Sequence, residues 1–299
     1  MTKKSFLATA GAVILLMIIG SFADFQISSA LFNTSSVFGN IFAAYGELPL
    51  GIFMLVPIYI LLFCHEGQKT VGKVFSILGG ILMLGGSLYF LLFNPTRYLR
   101  QYIWPNTSGL LVAAIGVLII AGIGFGMTRY TKGIDHRDLR RLALVCFLMV
   151  VSAIVVINVI KIPWGRPRMR LIAINDLAKF QPWWVIGGAQ KEVLLAAGVA
   201  SDELKSFPSG HTADAALMLC LSFMALTKKK YEKDKAMFYS GCAFAAVVAF
   251  SRIIMGAHFL SDVTFGFGTT FVLYLVFRRI FYGPTQRNPR EELESSQSI

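Results

Sequence analysis

The chain has 299 residues, of which 56% are hydrophobic and only 15% charged, with a formal net charge of +12 and a mean hydropathy of +0.65. That composition excludes a disordered chain and an ordinary water-soluble domain. The basic excess falls between apolar runs rather than along one stripe, so it reads as membrane topology and gives no reason to expect nucleic acid as a partner.

Apolar runs of spanning length, roughly 17–25 residues, occur near 5–23, 48–64, 73–93, 109–127, 141–160, 209–227, 236–255 and 258–280. The expected fold class is therefore all-α: a polytopic integral membrane helical bundle of about eight transmembrane helices. The run at 48–64 is short and the last two nearly touch, which makes seven spans the nearest alternative. In chain order, residues 1–140 hold about four spans, 141–283 hold the stretches that carry chemistry, and 284–299 form a polar tail.

Lys3-Lys4, the first apolar run and Ser21-Phe22-Ala23 have the outline of a signal peptide. The run is longer than a usual signal core and reads as an uncleaved first span. The next stretch, 24–47, carries only Asp24 and Glu47 as charges and is expected to lie in the membrane interface. An even number of spans puts both termini on one side. Lys3-Lys4, Lys69, Lys73, the basic residues of 129–141 and 228–235, Arg278, Arg279, Arg287 and Arg290 share that side, which the positive-inside rule makes cytoplasmic. Trp104, Trp164, Trp183 and Trp184 fall on the opposite side, as interfacial anchors. A bacterial inner (plasma) membrane is the expected location.

Cys64, Cys146, Cys220 and Cys242 sit within or at the ends of spans and indicate no disulfide framework. His65 and His136 lie on the cytoplasmic side, leaving His211 and His258 on the other. Two histidines alone make a poor zinc site. No metal and no cofactor is expected.

The fifth span runs into Lys161, Pro163, Gly165, Arg166, Pro167, Arg168 and Arg170. Pro and Gly at this density predict a stiff turn that aims its side chains. Four cations in ten residues repel one another unless an anion sits among them; a patch for anionic headgroups is the other reading. The long loop 171–205 includes Phe180, Trp183 and Trp184, expected either to anchor in the interface or to line an entrance.

The sixth span opens with Pro208-Ser209-Gly210-His211. Ser209 is placed to cap a helix, Gly210 admits a ligand to the backbone, and free N–H groups at a helix start attract an anion. Asp214, three residues after His211, is expected either to hydrogen-bond it or to reach up to water. In Ser251-Arg252-x5-His258-x3-Asp262, a helix beginning near 258 would make His258 and Asp262 i,i+4 neighbours. The carboxylate would then accept one ring N–H and leave the other nitrogen available. An interfacial helix end with a snorkelling Arg and a capped His fits the same letters. Under the eight-span topology all three stretches reach one membrane face, and cations, two histidines and an orienting carboxylate together suit phosphoryl transfer.

These motifs resemble the type 2 phosphatidic acid phosphatase family, which shares its fold with vanadium haloperoxidases. Lys161-x6-Arg168, Pro208-Ser209-Gly210-His211 and Ser251-Arg252-x5-His258-x3-Asp262 match its pattern, with Met169 standing where the family has proline. The resemblance implies a six-helix core, to which this chain adds two spans. It also implies that His258 is the nucleophile of a phosphohistidine, that Asp262 orients it, and that His211 is the general acid. Lys161, Arg168, Ser209, Gly210 and Arg252 would bind phosphate, with Arg166 a weaker candidate. The implied activity is metal-independent hydrolysis of a lipid phosphate or pyrophosphate: phosphatidic acid, diacylglycerol pyrophosphate, phosphatidylglycerol phosphate or a polyprenyl pyrophosphate. A lipid phosphotransferase using the same site, and a non-catalytic transporter or scaffold of the same fold, are the rival readings.

Overall fold

The structure, a computed structural model, describes residues 3–102, 106, 108–188 and 190–283. In chain order the α-helices are α1 (Lys3–Leu31), α2 (Val37–Tyr45), α3 (Leu48–Phe63), α4 (Thr70–Leu88), α5 (Asn94–Tyr102), α6 (Gly109–Tyr130), α7 (His136–Trp164), α8 (Met169–Ile172), α9 (Gln190–Ala196), α10 (Gly210–Ala215), α11 (Cys220–Thr227), α12 (Tyr231–Ile254) and α13 (Leu260–Tyr282). No strand occurs among the described residues. Among the described residues eight segments are long and apolar enough to cross a membrane; α2 and α3 together form the second of them, and α10 and α11, joined by a 3-10 turn, form the sixth. Large side chains such as Leu82 and Leu110 stand more than four-fifths exposed. Such exposure is tolerated against lipid tails and marks a membrane protein.

The core lies where α3, α7, α11 and α13 meet, with Phe53, Val145, Met149, Phe223 and Tyr274 nearly or fully buried. α1 packs along α13. α4 and α6 form an outer layer against α3. The end of α6 meets the rest of the bundle where the Tyr130 hydroxyl donates to the Met224 carbonyl at 2.7 Å. At that end of the bundle, Arg278 on α13 grips Asp234 on α12 through two bonds of 2.9 and 2.7 Å.

Two expectations change. The stretch 24–47 is not one interfacial element: 24–31 complete α1, and α2 packs on α12, with Asp24 only 2% exposed. The stiff turn expected from Lys161 onward starts later, because α7 runs to Trp164 with Pro163 in its last turn, where a proline interrupts little helix. Gly165 then ends it in the left-handed conformation at φ 65°, which favours glycine. Lys161 is thus a helix residue. In the 171–205 loop, Trp183 is half-buried. Its ring stacks on Phe207, and its Nε1 donates to Ser21 Oγ of α1 at 2.9 Å, while Trp184 is about half exposed. Trp104 and the tail 284–299 lie outside the described residues.

Candidate active site

His258 sits in the turn joining α12 to α13, 2% exposed. The turn is fastened by the backbone: the N–H groups of Ala257 and His258 donate to the Arg252 carbonyl, and that of Arg170 to the Gly256 carbonyl at 3.0 Å. The ring nitrogen Nδ1 lies 2.5 Å from the Ser206 carbonyl oxygen. A carbonyl can only accept, so Nδ1 carries the hydrogen and Nε2 keeps its lone pair. Burial, reinforced by Arg168, Lys161 and Arg252, holds the imidazole well below its ordinary pKa and therefore neutral.

Asp262 does not hold that ring directly. Its Oδ2 is 3.9 Å from His258 Nδ1, beyond a hydrogen bond. The expected i,i+4 geometry fails because α13 begins at Leu260, leaving His258 outside the helix. Asp262 instead caps its own helix, accepting from the Phe259 N–H at 2.8 Å, and accepts from Ser206 Oγ at 2.5 Å. Ser206, fully buried, therefore links the two: its hydroxyl goes to Asp262 and its carbonyl to His258. Nothing in the sequence signalled Ser206.

Arg166, expected as a secondary phosphate ligand, is occupied elsewhere. Fully buried, it donates to Asp262 Oδ1, to Asp24 Oδ2 at 2.9 Å, to Ser261 Oγ at 3.0 Å and to the Gln181 carbonyl at 2.7 Å. The guanidinium neutralises two buried carboxylates, and their attraction outweighs any exposed anion. Asp24 reaches across from α1 and also accepts from the Ser261 N–H at 2.9 Å. Arg170 pairs in bidentate fashion with Glu203 at 3.0 and 2.6 Å.

Lys161, Arg168 and Arg252 are the cations that converge on His258. Arg168 and Arg252 are 6% and 1% exposed, and the Nε of each is buried without a hydrogen-bond partner among the described residues. Arg168 also meets Asp202 Oδ2 at 3.1 Å. Burial opposes ionisation of Asp202, but Arg168, Lys161 and Lys205 hold its carboxyl below the usual range. Met169 takes the first position of α8, buried against the bundle, without displacing Arg168. Ser209 caps α10, its Oγ accepting from the Thr212 N–H at 3.4 Å. A Cβ on Gly266 would fall 2.3 Å from the Ser209 carbonyl oxygen, so only glycine lets α13 approach this turn. Gly210 faces Lys161, whose Nζ would lie 3.5 Å from a Cβ placed there.

His211, in the first turn of α10, turns away from its own helix. Its Nδ1 is 2.9 Å from Glu47 Oε1 and its Nε2 3.1 Å from the Ala43 carbonyl oxygen. The expected Asp214 partner is thus replaced by Glu47, because the ring reaches across to the α2–α3 joint. Asp214 stands within electrostatic reach of Lys161 and Glu47. Glu47 was visible in the sequence only as one of two charges in 24–47. Asp24 was the other, and both reach the site.

Residues 141–285 match the family model described as the PAP2 superfamily. That stretch, a little under half of the chain, is where the likeness to the PAP2 superfamily lies. Searches of curated proteins and of solved structures gave no match. That likeness points to phosphatase activity on phosphate esters. The match contains Lys161, Arg168, Ser209, His211, Arg252, His258 and Asp262, while Asp24 and Glu47 are supplied from outside it.

Proposed function

We propose that the protein is a lipid phosphatase that works through a phosphohistidine on His258. The observation that carries this reading is the Ser206 carbonyl on Nδ1, which leaves a neutral lone pair at Nε2 on a ring within electrostatic reach of three cations. Nε2 attacks phosphorus, and Lys161, Arg168 and Arg252 meet the charge on the phosphoryl oxygens without a metal. Asp262 steadies His258 through Ser206, and Ser209 with the Gly210 backbone borders the phosphate. His211 protonates the leaving oxygen, and water then hydrolyses the phosphohistidine.

A lipid substrate is supported by an apolar groove of about 470 Å³ between α1, α12 and α13. One end reaches Thr212, beside His211, and the walls include Val13, Ala246 and Val263. Along α12 it extends from Ile253 to Tyr239, about 21 Å at ~1.5 Å per residue, or some two-thirds of a ~30 Å hydrocarbon core. The charge asymmetry of the loops favours a site on the extracytoplasmic face with both termini inside.

The test is phosphate release in detergent with EDTA, across phosphatidic acid, diacylglycerol pyrophosphate, phosphatidylglycerol phosphate and polyprenyl pyrophosphate. Release from one class, lost in His258→Ala, is the expected result. Release that survives His258→Ala overturns the mechanism. Activity only when an acceptor lipid is added assigns the site to a transferase.

A further inference from the structure

Both ring nitrogens of His211 face acceptors, the Glu47 carboxylate at 2.9 Å and the Ala43 carbonyl at 3.1 Å. With an acceptor at each nitrogen the ring donates twice, as an imidazolium does. Glu47 is itself fixed: its other oxygen accepts from Asn94 Nδ2, and it occupies the rigid joint between α2 and α3, two residues before Pro49. Tyr98 on α5 closes the ring edge-to-face at 5.5 Å. The remaining charged or titratable groups around the pair are Lys161 on α7, Asp214 on α10, Arg252 on α12 and His258. Burial and, after it, Arg252 both disfavour a positive charge at His211, so a carboxylate opposite that ring has a task to perform.

We infer that Glu47, delivered by helices outside the PAP2 match, is a positioning residue that keeps the general-acid proton on His211. The inference rests on the phosphohistidine reading above. In the first step His258 Nε2 bonds to phosphorus and the bond from phosphorus to the leaving oxygen breaks. That oxygen keeps the electron pair and takes the proton from His211 Nε2, whose partner is the neutral Ala43 carbonyl. Nδ1–H stays on Glu47, which stabilised the imidazolium and now orients the neutral ring. In the second step water attacks phosphorus and gives its proton back to His211 Nε2. The phosphorus–nitrogen bond breaks, returning its electrons to His258.

A proton donor matters only where the leaving oxygen is basic. The experiment compares wild type, Glu47→Gln and Glu47→Ala, as full-length chain in detergent, on a long-chain alkyl phosphate and on a nitrophenyl phosphate carrying the same chain. The inference expects kcat on the alkyl ester to fall about 100-fold, the scale of general-acid catalysis, and kcat on the aryl ester to fall no more than roughly threefold. Equal losses on both esters would make Glu47 a purely structural residue, and no loss on either would remove it from the reaction; both overturn the inference. Glu47→Gln preserves shape, and its thermal midpoint in detergent guards against misfolding. His258→Ala on the aryl ester separates the two readings. Activity there defeats the phosphohistidine itself, whereas a leaving-group-independent Glu47 effect defeats only the present inference.

Discussion

Ser206 accepts the His258 Nδ1–H on its carbonyl at 2.5 Å and gives its hydroxyl to Asp262 at 2.5 Å. In the proposed mechanism the carboxylate thus acts on the His258 ring through an intermediary. Ser206→Ala removes the hydroxyl and keeps the carbonyl. A hydrogen bond to a charged group is worth about 1.5–3 kcal/mol, so kcat is expected to fall about 10-fold or more with KM little changed. Steady-state kinetics on a lipid phosphate would measure it; an unchanged kcat would show that Asp262 does not act along this path.

His258 is held neutral well below the ordinary imidazole value by burial and by Arg168, Lys161 and Arg252. As pH falls through that depressed value, Nε2 takes a proton and the nucleophile is lost. The acid limb of kcat/KM should therefore lie below the ~6.5 of an unperturbed histidine. The unfolded ring binds its proton first, so this residue's stabilising contribution is present above pH ~6.5 and declines as pH drops. A pH–rate profile whose acid limb sits at or above ~6.5 would contradict the assignment.

Arg166 and Arg168 are two residues apart and should fail differently. Arg166→Ala strands Asp24 and Asp262 as buried, unpaired carboxylates, at a cost of about 3–5 kcal/mol. Its signature is a lower thermal midpoint in detergent. Arg168→Ala removes a guanidinium that faces the site and an exposed pairing with Asp202, so its midpoint should move little while kcat/KM falls. The reverse pattern would exchange their roles.

Gly266→Ala puts a methyl 2.3 Å from the Ser209 carbonyl oxygen, a backbone atom that cannot swing aside. Overpacking of this kind costs about 1–3 kcal/mol. Differential scanning fluorimetry should show a lower midpoint, and activity should fall with it because α13 carries Asp262. Wild-type stability and activity would mean that α13 has room at Ser209.

Lys161, Arg168, Ser209, Gly210, His211, Arg252, His258 and Asp262 were legible from residue type and spacing, because each motif is local and a polar group amid apolar runs announces itself. The eight spans were legible for a similar reason: spanning length and hydropathy are properties of a contiguous segment. What the letters could not show was who holds whom. Asp24 meets Ser261 across 237 positions and Glu47 meets His211 from another pair of helices, while Arg166, spaced like a phosphate ligand, turned inward to the carboxylates. Helices that are apolar nearly all round carry no amphipathic face to reveal their neighbours. The sequence alone determined the spans and marked out the candidate site residues. Only tertiary packing decided which buried charges pair, because a charge out of water takes whichever partner the fold brings within reach.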